Sequence, residues 1–165
     1  MGRLDGKVAL ISGGARGQGA AEAKLCAREG AQVVFGDVLD EDGRHVETEI
    51  RTAGSDATYV HLDVTSEDDW RAAVALAEHT YGRLNVLVNN AGIVIRKSIE
   101  ETTEDDWDRI LAVNLKGVFL GTNTPFRRCG VLGEARLLTS PRRRVWWGVP
   151  MARLRTRRRR AACVC

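Results

Sequence analysis

The chain has 165 residues, 44% of them apolar, with a formal net charge of +3 and four cysteines. That length can bury one core, and no run of 18 apolar residues occurs, which excludes a continuous apolar helix of membrane-spanning length. The opening MGRLDGK has no apolar leader, so a cytoplasmic location is expected, and Cys26, Cys129, Cys163 and Cys165 are too unevenly placed for a disulfide framework or a metal site.

Lys7 to Gly19 reads as strand, glycine turn and helix: the apolar run Val8 to Ile11 stops at Ser12 and Gly13, Gly17 and Gly19 follow, and helix-forming residues run from about Gln18 to Glu29. A buried strand delivers such a turn to the carboxyl edge of a sheet. There the N-terminus of the next helix offers N–H groups and a positive dipole end to a pyrophosphate, and glycine lets the backbone approach it. The next strand, Gln32 to Gly36, ends at Asp37, 18 residues beyond Gly19, about where a carboxylate meets the hydroxyls of an adenosine ribose. Asp37 favours NAD because it would repel a 2′-phosphate. Arg16, in the turn, offers the opposing reading of a phosphate partner for NADP, and Asp37 outweighs it.

A helix follows from Asp40 or Glu41 to about Thr52, with Asp40 as its cap and Val46 and Ile50 facing inward. The strand Thr58 to Leu62 ends in Asp63-Val64, and Thr65 or Ser66 caps a helix over Glu67 to Tyr81 in which Trp70, Val74 and Ala77 recur at helical spacing. Trp70 reads as core. The strand Asn85 to Val88 runs into Asn89-Asn90-Ala91-Gly92 and then Ile93 to Ile95. The amide pair either fixes the turn by hydrogen bonding at the sheet edge or contacts a cofactor ribose, and both can hold. Thr103 caps a last helix, Glu104 to about Leu120, with Trp107, Ile110, Leu111, Leu115, Val118 and Phe119 as its apolar stripe. Asn114 among those positions implies a polar task. Strand and helix alternate with short turns, the pattern of a doubly wound parallel sheet, an α/β Rossmann fold.

The segments Ser12-Gly13-Gly14-Ala15-Arg16-Gly17-Gln18-Gly19, Asp63-Val64, Asn89-Asn90-Ala91-Gly92 and Asn114 within VNLKGVF together resemble the classical short-chain dehydrogenase/reductase family, with Ser12 where the family usually has Thr. GKVALISGGARG, VVFGDVLDEDG and YVHLDVTSEDDW are most similar to its NAD-dependent hydroxysteroid dehydrogenases of the 3α or 20β type. The resemblance implies an oxidoreductase of steroid metabolism that interconverts a secondary alcohol and a ketone with NAD. It also implies a homotetramer whose interface includes the helix around Trp107 and Asn114. By the same resemblance, Ser12, Gly13, Arg16, Gln18 and Gly19 belong to the pyrophosphate turn, Asp37 and Val38 to the adenosine ribose, and Asp63 and Val64 to the adenine. Asn90, Ala91 and Gly92 take the inner ribose and the sheet edge, and Asn114 matches a catalytic Asn that holds a water in a proton relay. The family's remaining catalytic parts are a Ser, a Tyr acting as acid and base, and a Lys four residues later that lowers the Tyr pKa. No tyrosine or lysine follows Thr124.

Composition changes at that point. Residues 1–124 hold 13 Lys and Arg against 21 Asp and Glu, whereas residues 125–165 hold 12 arginines, no lysine and the single acid Glu134. Codons formed from the last base of each residue and the first two of the next give forced outcomes at some junctions: Val at Trp146/Trp147 and Gly at Trp147/Gly148 and Met151/Ala152. Other junctions permit Asn-Ile-Ser-Ser across Leu138 to Arg142 and Tyr-x-x-x-Lys from Arg155/Thr156 to Arg159/Arg160. The expectation is therefore an incomplete NAD-binding domain over residues 1–124 and an irregular or disordered Arg-rich tail over 125–165, read in a shifted frame. Such a chain should lack activity, should expose the apolar face of the Trp107 helix and the sheet edge beyond the fourth strand, and should dissolve poorly or aggregate. The alternatives are a catalytically dead dinucleotide-binding fragment, or non-specific nucleic-acid binding through Arg153, Arg155 and Arg157 to Arg160 with Trp146 and Trp147 as stacking candidates. Neither specific nucleic-acid binding nor membrane binding is expected.

Overall fold

The computed structural model describes residues 2–128 and 136–139. Cys129, Cys163, Cys165, Trp146, Trp147 and the arginine run from Arg153 lie outside the described residues, as does most of the shifted-frame segment. Among the described residues five strands, β1 (Val8–Ser12), β2 (Gln32–Asp37), β3 (Ala57–His61), β4 (Val86–Asn89) and β5 (Arg136–Thr139), form one sheet in the order β3-β2-β1-β4-β5. Every pairing is parallel. The order reverses at β1, so the chain winds outward in both directions and leaves a crevice above the carboxyl ends of β1 and β4.

β1, β2 and β4 are buried on both faces, and their alternate residues divide between two cores. Ala9, Ile11, Val33 and Phe35 pack under α1 (Gly17–Arg28) and α2 (Asp40–Thr52), while Val8, Leu10, Val34 and Leu87 pack against α3 (Glu67–Tyr81) and α5 (Gly117–Arg128). This is the period of two expected of a pleated strand covered twice. Trp70 is fully buried in the second core, and its indole N–H donates to the Val64 carbonyl at 3.1 Å. Ser66, rather than Thr65, caps α3 by accepting from the Asp69 N–H, and Gly82 closes the helix in the left-handed conformation. No helix among the described residues is long and apolar enough to cross a membrane.

Three expectations are corrected. Asp40 does not cap α2, because it is the first helical residue and its carboxylate is engaged by Tyr59 and His61 on β3. The final helix is also not continuous: α4 (Glu104–Leu111), capped by a Thr103–Asp106 box, passes into a π-helical turn at Ala112–Lys116 before α5 resumes and runs through Pro125 to Arg128. Its apolar stripe divides accordingly. Ile110 and Leu120 are buried, but Trp107 is 46% exposed, Leu115 66% and Phe119 63%. The extra residue in the π turn rotates the helix, so one face meets the core while the other points outward. Finally, the sheet does not end at β4, since β5 pairs with it in register from Val86 opposite Arg136 to Asn89 opposite Thr139.

Candidate functional site

The β1–α1 turn is built so that backbone approaches backbone. Gly13 has φ +70°, and a Cβ there would lie 2.7 Å from Ala91 Cα; a Cβ on Gly19 would lie 2.0 Å from the Gly13 carbonyl oxygen. Only glycine permits both approaches. Ser12 is almost fully buried and closes the turn from below: its hydroxyl accepts the N–H groups of Asn90 and Ala91 at 3.2 Å and reaches the Val88 carbonyl at 3.4 Å. The Asn90 amide donates to the carbonyls of Ser12 and Gly13 at 3.1 and 3.0 Å. Of the two readings of the amide pair, turn fixation is therefore present. Asn89 instead donates to the Thr122 hydroxyl at 3.3 Å, tying β4 to α5.

Above this turn opens a cleft of about 560 Å³. Gly13 and Arg16 of the β1–α1 turn, Asp37 and Val38 at the end of β2, Asp63 and Val64 after β3, and Asn90, Ala91 and Gly92 after β4 all line it. Nine of the residues anticipated from sequence thus share one cavity. Gln18 and Gly19 do not line it; Gln18 donates to Glu22 on the helix surface at 2.8 Å, and Gly19 is buried beneath the turn. Asn114 also lies outside the lining, in the π turn, where its amide clamps the Ile93 backbone by accepting its N–H at 2.8 Å and donating to its carbonyl at 2.9 Å. That clamp is the polar task its sequence context implied, and it holds the chain leaving β4 against the cleft. Arg109, Leu62, Thr65, Ala112 and Val113 complete the lining together with Leu39 and Ile93. No sequence motif marks Arg109; only the cleft's reach as far as α4 brings it in.

The electrostatics of the floor differ from the rest of the molecule. The first turns of α2, α3 and α4 carry three acids each, Asp40-Glu41-Asp42, Glu67-Asp68-Asp69 and Glu104-Asp105-Asp106, while the first turn of α1 carries none and has no side-chain cap. Carboxylates normally stabilise a helix N-terminus. α5 also lacks them but continues directly from the π turn, so among the helices with a free N-terminus only α1 omits them, which leaves that positive end to an anion from outside the chain. Asp37 stands at the adjacent end, its carboxylate accepting the N–H groups of Ala15 at 3.1 Å, Val38 at 2.8 Å and Leu39 at 3.3 Å. An acid-free helix end beside a glycine cradle, with a fixed carboxylate one strand away, fits a dinucleotide.

Asp37 is braced from behind. The Tyr59 hydroxyl shares its proton between the Asp37 carbonyl at 2.6 Å and Asp40 Oδ1 at 2.8 Å, and His61 Nδ1 lies 2.9 Å from the same Asp40 oxygen. Burial, and then the hydrogen bond to Asp40, push the Tyr59 phenol upward. Hydrogen bonding to Asp40 raises His61 above its usual 6.5, and hydrogen bonds from His61 and then Tyr59 lower Asp40 below its usual 3.8. The His61 contribution is complete below pH 6.5 and fades as pH rises through its raised value, whereas that of Asp40 is complete above pH 3.8 and fades as pH falls through its lowered value. The pair is therefore strongest between those two pH values. Both groups are exposed, so the effect is small. Urea midpoints should show His61→Ala more destabilising at pH 5 than at pH 8; an equal loss at both would show that the histidine acts without its charge.

Comparison with known proteins agrees with this geometry. The family described as short chain dehydrogenase matches residues 7–129. A 3-alpha-(or 20-beta)-hydroxysteroid dehydrogenase of Mycobacterium tuberculosis is 57% identical over 120 residues, covering 73% of this chain and 45% of its own. A cyclopentanol dehydrogenase of Comamonas testosteroni is 46% identical over 122 residues, covering 74% of this chain and 49% of its own. The chain thus spans about half the length of the curated relatives it matches. Among solved structures, a short chain dehydrogenase from Burkholderia cenocepacia in complex with NADP superposes with a TM-score of 0.76 at 37% identity, over 83% of this chain and 56% of the other. Fold, glycine turn and matched span agree: the chain belongs to the short-chain dehydrogenase family.

Proposed function

We propose that the chain is the dinucleotide-binding half of an NAD-dependent oxidoreductase that interconverts a secondary alcohol and a ketone, with a hydroxysteroid-like substrate. The carrying observation is the acid-free N-terminus of α1 facing a cleft that ends at Asp37. Bound NAD would supply the hydride acceptor. The glycine turn, set by Ser12 and Asn90, presents N–H groups to the pyrophosphate. Asp37 receives the adenosine ribose hydroxyls and disfavours a 2′-phosphate by charge. Asp63 and Val64 flank the adenine, Asn90, Ala91 and Gly92 border the inner ribose, and Asn114 takes the place of the relay asparagine while holding Ile93.

The 165 residues contain no Tyr-x-x-x-Lys, and the only tyrosines, Tyr59 and Tyr81, stand on β3 and at the end of α3. A secondary alcohol would have no tyrosine to take its proton, so this form is proposed to bind NAD without turnover. The shifted reading of the segment after Thr124 accounts for the missing pair. Calorimetry with NAD, an NAD-reduction assay with a hydroxysteroid, and the same assay on a gene repaired near codon 124 test the proposal together. Binding without turnover, with turnover restored by the repair, is expected; turnover by the present chain would overturn it. The exposed Trp107, Leu111, Leu115 and Phe119 recur every fourth residue on one helix face, which supports self-association through that face. Sedimentation of the same sample reads this directly, and a monomer at all concentrations would remove it.

A further inference from the structure

Arg16 occupies the N-cap position of α1 without capping it by its side chain, and it lines the cleft together with Asp37, Val38 and Leu39. It is therefore the cation of the glycine turn nearest the ribose end of the site. Left to itself it would attract a 2′-phosphate, because a guanidinium binds phosphate through paired, charge-assisted hydrogen bonds. In the structure it is held elsewhere: Arg16 Nη2 lies 2.6 Å from Asp42 Oδ2 in the first turn of α2. The acids of that turn divide their work, since Asp40 faces β3 through Tyr59 and His61 while Asp42 faces the glycine turn.

We infer that Asp42 is a specificity-determining residue that favours NAD over NADP by tethering Arg16, and the inference rests on the dinucleotide reading given above. Two effects act together. The tether neutralises and orients the one turn cation that could pair with a 2′-phosphate, and the Asp42 charge adds to that of Asp37 in repelling it. NAD, which has a hydroxyl there, is indifferent to both. The pair is solvent-exposed, with the Arg16 side chain 69% accessible and that of Asp42 36%, so it contributes little to folding stability. Its removal should change selectivity and leave the fold intact.

The test is calorimetric titration of NAD and NADP into the wild-type chain, Asp42→Asn, Asp42→Ser and the double variant Asp42→Asn/Arg16→Met. Both single variants should tighten NADP binding by about five- to tenfold while leaving the NAD Kd within about twofold, as expected when a freed guanidinium pairs with the phosphate at an exposed site and one repelling carboxylate is removed. The gain should shrink as salt rises and should vanish in the double variant. Wild-type NAD binding with unchanged NADP affinity in both single variants would overturn the role of Asp42 and leave the dinucleotide reading standing. Equal changes for the two nucleotides, or a gain that persists without Arg16, would also overturn it. A wild-type chain that binds neither nucleotide would remove both readings.

Discussion

Alanine at position 19 is expected to abolish measurable NAD binding and to lower stability by about 2–3 kcal/mol, the cost of forcing extra volume into packed chain. The new Cβ would lie 2.0 Å from the Gly13 carbonyl oxygen and 2.4 Å from Asn90 Nδ2, between the two partners of a 3.0 Å hydrogen bond. Neither partner can yield easily. Gly13 is pinned at φ +70° against Ala91, and Asn90 is held by Ser12. Helix α1 must therefore shift away from the turn, carrying its N–H groups out of reach of a pyrophosphate. Gly17→Ala makes the contrast, because no atom stands within 4 Å of its Cβ and only the positive φ of 54° resists, at about 1–2 kcal/mol. Calorimetry and thermal melting of both variants separate the effects. Undiminished NAD binding by the Gly19 variant would show that the turn does not carry the nucleotide.

That contrast also marks what the sequence could express. A glycine forced by close approach and one forced by φ look alike as letters, and only the register of β1 against β4 tells them apart. Patterns with a single dominant cause were legible: the span of α3 follows from its cap, its periodic Trp70, Val74 and Ala77, and Gly82, and the two-sided burial of β1, β2 and β4 follows from their apolar runs. Asp37 was placed by its distance from the glycine turn. Features decided by competition were not. Asp40 has the chemistry of a cap, but Tyr59 and His61 claim it across the β2–β3 pair, which no local pattern encodes. The apolar stripe of Trp107, Leu115 and Phe119 was legible by period and its exposure was expected, but the π turn around Asn114 that divides the helix was not, because the clamp on Ile93 that occupies Asn114 joins residues 21 positions apart. Arg109 enters the cleft, and Arg16 meets Asp42, only because distant elements converge.

Trp70→Ala is expected to cost about 3–5 kcal/mol, a large share of the 5–15 kcal/mol typical of a whole domain. The side chain is fully buried, and α5 rests directly on it: a Cβ on Gly121 would lie 2.5 Å from Trp70 Cζ2, so the helix and the indole already touch and neither Gly121 nor Leu120 can fill the space left behind. Truncation would also leave the Val64 carbonyl without its 3.1 Å indole donor. That second loss reaches the cleft, since Val64 lines it and Trp70 fixes the turn between β3 and α3. Trp70→Phe separates the two causes, because it keeps most of the volume and removes the donor, at about 1–3 kcal/mol. Urea unfolding of the three proteins measures the difference. If the alanine variant lost less than about 1 kcal/mol, α5 would have to be loosely seated, and the packing of the helix that carries the π turn and Asn114 onto the sheet would no longer account for the shape of the cleft.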